Sequence, residues 1–228
     1  MSTVAMSTSP SQEARRIVVV GAGGFARETI DVIEDMRDSG GRAYSIVGVT
    51  DPSPEPRHLD RLHERGIAFL GEDGAWLRQR AAEYFTVAIG SPAVRTRLVA
   101  LYLAAGLLPA TLVHPTAIVG RHSSVGEGVV VCAGATISTN VRLGAFSIVN
   151  PNATIGHDAT LQRFVSINPG AIVSGDVLVG ERTLVGAGSV ILENLTVGAG
   201  SVVGASACVT RDVPPGSVVT GVPARPRH

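Results

Sequence analysis

The sequence predicts an α/β domain followed by an all-β parallel β-helix. Three observations carry this. Short aliphatic runs alternate with charged amphipathic stretches over residues 16–110, a glycine loop follows the first of those runs, and a six-residue period runs unbroken over residues 113–214. A chain of 228 residues is long enough for two small domains.

Residues 1–14 are polar and rich in Ser and Thr, and are expected to form a disordered tail rather than a signal peptide. The α/β domain is expected over residues 15–110. Its first strand is the aliphatic run 17–20, followed by Gly21-Ala22-Gly23-Gly24 and a helix over 25–38 with Ile30, Ile33 and Met36 on one face. A strand over 44–49 ends at Thr50-Asp51-Pro52. A short helix over 59–65, a strand over 67–70, a helix over 74–82 and a strand over 85–89 follow, then Gly90-Ser91-Pro92 and a helix to residue 105. The order βαβαβαβα predicts a parallel sheet with helices on both faces and a ligand crevice at the carboxyl ends of its strands.

The glycine loop suits an anion, because its backbone N–H groups can approach a phosphate and the helix start adds partial positive charge. Its spacing is not the full dinucleotide fingerprint, although Asp51 lies where a ribose-binding carboxylate could sit. The residues alone leave a structural turn and a nucleotide or nucleotide-sugar site open, and nothing downstream supplies hydride chemistry.

From Val113 to Val209 every sixth residue is Val, Ile or Leu, and the residue four places later is nearly always small or β-branched. A period of six fits neither a helix nor an ordinary amphipathic strand. It fits short strands joined by tight corners, with glycines at the second place of many hexads, such as Gly120, Gly144 and Gly156, suited to close turns. Three hexads per coil make a triangular prism of nearly six coils over residues 111–214, with a C-terminal extension over 215–228. Only 11 of the 38 charged side chains fall within residues 113–214.

Composition excludes several function classes. The formal net charge is zero and the pI near 7, which removes nucleic acid and anionic membrane surfaces as partners. All 19 basic residues are Arg, so no Lys is present for Schiff-base or P-loop chemistry. Cys132 and Cys208 are too few for a disulfide framework and fit a reduced cytoplasm, and no apolar stretch is long enough to span a membrane. His114, His122 and His157 stand at spacings that are not multiples of the coil, which argues against a three-His metal site of the β-helix carbonic anhydrase kind. His58 and His63 are expected to be solvated, and His114 to shape the junction. His157 is singled out by Asp158 directly after it.

Several motifs, in order, then carry a resemblance: Gly21-Ala-Gly-Gly-Phe-Ala-Arg27, Leu112-Val-His-Pro115, Gly156-His-Asp158, Phe164-Val-Ser-Ile-Asn-Pro-Gly170, Ser174-Gly175-Asp-Val177 and Arg211-Asp-Val-Pro-Pro-Gly216. Together they resemble the sialic-acid O-acetyltransferase and nucleotide-amino-sugar N-acetyltransferase family, over about residues 16–224. The resemblance implies a Rossmann-like nucleotide-sugar domain on a left-handed β-helix, a cytoplasmic homotrimer, and acetyl-CoA as cosubstrate without a metal. It implies direct acetyl transfer to a nucleotide-linked 4-amino sugar, with His157 as general base and Asp158 orienting it. Ala22, Gly23, Gly24, Phe25, Asp51, Gly90, Ser91 and Arg95 are assigned by similarity to the sugar nucleotide, with Arg95 on the diphosphate, and Asn150 lies near the acceptor amine. Ser166 and Gly175 are placed at the acyl group, with the Gly175 N–H on the thioester carbonyl, and Ala187 and Ala205 along the pantetheine arm. The chain departs from many relatives at Phe25, Gly156 and Ser166, which bear on the acceptor. Sugar O-acetylation and a non-catalytic nucleotide-sugar scaffold are the alternatives.

Overall fold

The structure is a computed structural model and describes residues 14–40, 44–79 and 81–227. His228 and all of the expected tail except Ala14 lie outside the described residues.

The first part comprises β1 (Arg15–Val20), α1 (Gly24–Asp38), β2 (Tyr44–Thr50), α2 (Pro56–Glu64), α3 (Asp73–Leu77), β3 (Tyr84–Val87), α4 (Pro92–Ala104) and β4 (Leu108–Pro109). The strands pair in parallel in the order β2-β1-β3-β4. Successive side chains of a strand point to opposite faces, so β1 serves two cores. Ile17 and Val19 pack with Ile30 and Ile33 of α1, whereas Val18 and Val20 pack with Leu98, Val99 and Tyr102 of α4. Residues 67–70 make one parallel bridge, Val49 to Phe69, instead of the expected strand. Gly66 and Gly71, both at left-handed φ, bend the chain away at either end of that run. The helix expected over 74–82 ends at Leu77. The sequence does not signal β4, whose two residues are too few for any period.

From Leu112 the chain winds into a prism with three parallel faces. The first runs from Leu112–Val113 through Ile148–Val149 and Ser166–Ile167 to Val218–Thr220. The second runs from Ile118–Val119 to Cys208–Val209, and the third from Ser124–Val125 to Thr196–Val197. Successive coils are joined by backbone bonds such as Thr154 N–H to Ala171 O at 2.9 Å and Gly156 N–H to Val173 O at 2.7 Å. The first-place aliphatics fill the interior beside small residues such as Ala153, Ala159 and Ala171, each buried Val or Ile stabilising by about 1.5–3 kcal/mol.

The second-place glycines serve a different purpose from the expected turn. A Cβ on Gly120, Gly144, Gly156 or Gly186 would lie 2.5–2.6 Å from backbone atoms of the next coil. Close approach of the coils, not a special φ, excludes a side chain there. The left-handed residue comes two places later, as at His122, Asn140, Asp158, Asp176 and Asn194, with φ between 54° and 62° along one corner of the prism.

The α/β domain lies over the first face. Leu112, Val130 and Ile148 of that face share one apolar cluster with Ile30 and Ile33 of α1. Phe146 and Phe164, stacked 5.2 Å apart at the adjacent corner, join the cluster on the α4 side. The corner between the second and third faces therefore lies opposite the α/β domain.

Candidate active site

That opposite corner carries His157 and Asp158. Both are well exposed, with side-chain exposures of 62% and 49%. Asp158 Oδ2 lies 2.8 Å from His157 Nδ1, and Asp158 Oδ1 accepts a bond from Asn140 Nδ2, one coil earlier, at 3.1 Å. Bonds from His157 first and Asn140 second hold the Asp158 carboxyl below the usual carboxylate range. An ionised carboxylate only accepts, so Nδ1 carries the proton and Nε2 is left with its lone pair outward.

Gly175 lies one coil further along the same corner. A Cβ there would stand 2.6 Å from both His157 Nε2 and Cε1, so the imidazole occupies the space that any larger residue would fill. The Gly175 N–H has no acceptor among the described residues. A base with a free lone pair thus sits beside an unoccupied backbone donor, which is the minimum for removing a proton from a nucleophile while steadying charge on a carbonyl oxygen. The 18-residue coil makes this juxtaposition legible in the sequence.

The second feature is a cleft of about 470 Å³ at the carboxyl ends of β1 and β2 and against α4, lined by Gly21, Thr50, Asp51, Asp73 and Arg97 among others. Asp51 also braces the glycine loop: Oδ2 accepts the Ala22 N–H at 2.9 Å, and Oδ1 accepts the Ser53 N–H at 2.9 Å. Ala22 is buried, Gly24 is exposed at the start of α1, and Gly23 and Phe25 are half-buried. Among the residues lining the cleft the single cation is Arg97, which sequence reasoning missed, although α4's period places it on the same face as Val94 and Leu101.

Three expectations are corrected. Arg95 is only 2% exposed, and its guanidinium donates to Phe146 O (2.9 Å), Ile89 O (2.8 Å), Gly90 O (3.1 Å), Phe164 O (2.7 Å), Val165 O (3.3 Å) and Ser166 Oγ (2.9 Å). It clamps α4 to two successive coils and is not available to a diphosphate. Burial lowers its pKa to about 9, so it remains charged at neutral pH. Ser166 is fully buried in the same joint, its hydroxyl donating to Gly90 O at 2.8 Å, and faces no open site. His58 is not solvated either, since Arg27 Nη1 donates to its Nδ1 at 2.9 Å across α1 and α2.

The remaining predicted residues do not gather around His157. Asn150, Ala187 and Ala205 lie on the corner between the first and second faces, and Asn150 Nδ2 donates to Ile167 O at 2.8 Å. Ser91 stands at the N-cap position of α4 without a side-chain capping bond and, with Arg182, lines a second cleft of about 410 Å³ against the coil. His114, on the same corner as Asn150, is 7% exposed. Its Nδ1 accepts the Thr116 N–H at 3.0 Å, and its Nε2 reaches Asp35 at 2.7 Å. No group of three or more His, Cys, Asp or Glu side chains suited to a metal occurs among the described residues.

The fold is a prism of hexapeptide coils that follows an N-terminal α/β domain. Residues 16–101 match the PglD N-terminal domain model. GDP-perosamine N-acetyltransferase of Escherichia coli O157:H7 is 32% identical over 129 residues, 56% of this chain and 56% of that protein, so the match spans about half its length. The structure of PerB from Caulobacter crescentus, in complex with CoA and GDP-perosamine, is 30% identical with a TM-score of 0.82, covering 97% of this chain and 100% of that one. The acetyltransferase domain of PglB from Neisseria gonorrhoeae FA1090, in complex with acetyl coenzyme A, is 31% identical with a TM-score of 0.80, covering 94% and 100%. The chain belongs to the nucleotide-amino-sugar N-acetyltransferase family of left-handed β-helix acyltransferases.

Proposed function

We propose that the protein transfers an acetyl group from acetyl-CoA directly to the amine of a nucleotide-linked 4-amino sugar. The observation that carries this reading is the His157 imidazole, tied at Nδ1 by Asp158 and resting its Nε2 edge on Gly175. His157 Nε2 takes the proton that the sugar amine loses as its nitrogen bonds to the acetyl carbon. Asp158 holds the ring in the tautomer that can accept it and steadies the imidazolium that forms. The Gly175 N–H donates to the carbonyl oxygen on which charge develops. His157 then returns the proton as the carbon–sulfur bond breaks, leaving the thiol of coenzyme A. No side chain is acylated, and burial pushes the Cys132 thiol up to about 12, out of nucleophilic range.

An acceptor held by the α/β domain cannot meet His157 of the same chain, because the domain covers the first face and His157 stands on the opposite corner. The site is completed by a neighbouring copy, which supports a homotrimer with three sites between prisms. Ala187 and Ala205 of one copy then flank the pantetheine arm near His157 of the next, and Asn150 stands at the acceptor amine. No helix among the described residues is long and apolar enough to cross a membrane, and both substrates of the proposed reaction belong to the cytoplasm.

Thiol release tests the reading. Acetyl-CoA incubated with GDP- or UDP-linked 4-amino-4,6-dideoxy sugars should liberate coenzyme A and yield the acetamido product. Turnover of a hydroxyl sugar alone would establish O-acetylation in its place. Binding without thiol release would leave a scaffold.

A further inference from the structure

Asn150 is 6% exposed, and its amide nitrogen donates to Ile167 O at 2.8 Å and to Asn168 Oδ1 at 3.4 Å. Its Oδ1 receives no donor among the described residues. That oxygen lies on the corner where the proposed reaction places the acceptor amine.

A second unpaired acceptor stands at the same height. His114, Cys132 and Asn150 occupy the same place in three successive coils, their N–H groups donating to Val131 O, Val149 O and Ile167 O. Coils stack about 4.8 Å apart, so Asn150 stands about 10 Å above His114. Helix α1 runs alongside them. Asp35, late in α1, lies 2.7 Å from His114 Nε2, whereas Ala26 and Ile30, earlier in α1, share one apolar cluster with Cys132 and Ile148. Glu28 precedes Asp35 by seven residues, two turns up the same stripe and about 10 Å along the axis. After burial, the Glu28 carboxylate is the second cause that pushes the Cys132 thiol up. Followed back toward its start, α1 therefore climbs from the first coil to the third, and Glu28 comes level with Asn150.

Glu28 makes no hydrogen bond or ion pair among the described residues. Its neighbour Arg27 is spent on Gly23 O at 3.3 Å and His58 Nδ1 at 2.9 Å, and Arg65 is spent on Asp31 and Glu34, both at 2.7 Å. Burial first and Asp31 second raise the Glu28 pKa above its ordinary value, with Arg27 opposing. The carboxylate lacks a cation of its own.

We infer that Glu28 and Asn150 Oδ1 together receive the ammonium of the acceptor sugar, and so select an amine over a hydroxyl. The inference rests on the amine-acetylation reading above. A primary amine is protonated near neutral pH and offers three N–H donors, enough for both acceptors at once. A hydroxyl offers one, and leaves either the carboxylate or the amide oxygen unpaired. Both acceptors belong to the copy that holds the sugar nucleotide, so the amine is oriented before it meets His157 of the neighbouring copy.

The experiment compares the full wild-type chain with Glu28→Gln by calorimetric binding and thiol release. The ligands are GDP- and UDP-linked 4-amino-4,6-dideoxy sugars, their 4-hydroxy counterparts, and GDP and UDP alone. Glu28→Gln is expected to weaken binding of the amino sugar and raise its KM roughly tenfold or more, with kcat within about threefold and nucleoside diphosphate affinity unchanged. The wild-type preference for the amino over the hydroxy sugar should shrink by the same factor. Equal amino-sugar affinity and KM in both chains overturn the inference, while thiol release keeps the amine-acetylation reading intact. An equal loss on the amino sugar and on the diphosphate alone also overturns it, because Glu28 would then act on the nucleotide or the domain. Absence of thiol release from every amino sugar in the wild-type chain overturns both. Should Glu28→Gln fail to fold, Glu28→Ala decides by the same comparison.

Discussion

Two corners of the prism carry a histidine hydrogen-bonded to an aspartate, and the pairs serve opposite ends. At the joint with the α/β domain, His114 has both ring nitrogens engaged, one by Thr116 and one by Asp35, and is 7% exposed. On the opposite corner, His157 has Nδ1 engaged by Asp158 and is well exposed, with Nε2 beside Gly175. The donor–acceptor chemistry is the same. What differs is whether neighbouring elements consume the second nitrogen. A buried histidine with both ring nitrogens engaged fixes geometry, whereas an exposed one with a single nitrogen engaged is free to exchange a proton with a substrate.

The joint should therefore answer to stability and the open corner to turnover. The largest effect belongs to Arg95→Met, which strands several buried carbonyls at about 1–3 kcal/mol each. Urea unfolding should show a loss of at least roughly 3 kcal/mol, and a loss under about 1 kcal/mol would mean that the clamp contributes little. Next comes His157→Asn, expected to lower kcat roughly 10²-fold or more at unchanged melting temperature; near-normal turnover removes His157 as the base. Gly175→Ala forces the imidazole out of its place and should lower kcat roughly tenfold or more without destabilising the coil. Unaltered kinetics would show that the ring does not need that position.

His114→Ala should reverse the pattern, costing about 1–3 kcal/mol of stability while kcat stays within about twofold. A deep loss of kcat in a stable His114→Ala chain would abolish the distinction between the two corners. The smallest effect is expected from Asn140→Ala. Asp158 is depressed below its ordinary value by His157 and then Asn140, so its ionised form persists as pH falls and is lost only below the usual carboxylate range. Removing Asn140 should move the midpoint of the Asp158 carboxyl, followed by ¹³C NMR, to higher pH. An unmoved midpoint removes Asn140 from the network.

Much of the open corner is legible in the amino-acid order alone. His157 and Asp158 are adjacent in sequence, and the fourth place of the hexad turns through left-handed φ, so their proximity is local. Gly175 follows by adding one coil. The joint is not legible in the same way. Arg95 looks like any helix cation in sequence, and its carbonyl partners in the coils lie 51 to 70 positions away. Ser166 occupies a position open to solvent in a bare coil, and only α4 packed above it makes it part of the clamp.

The sequence by itself determined the two architectures, the interior of the prism and the composition of the His157–Asp158 corner. A six-residue repeat leaves room inside for an aliphatic at one place and a small or β-branched residue at another, and a repeated corner reproduces the same geometry at every coil. The tertiary structure alone decided which face the α/β domain covers and which polar groups are spent in holding it there. Those outcomes depend on packing between elements far apart in the chain, where burial turns a charge from a ligand contact into a clamp.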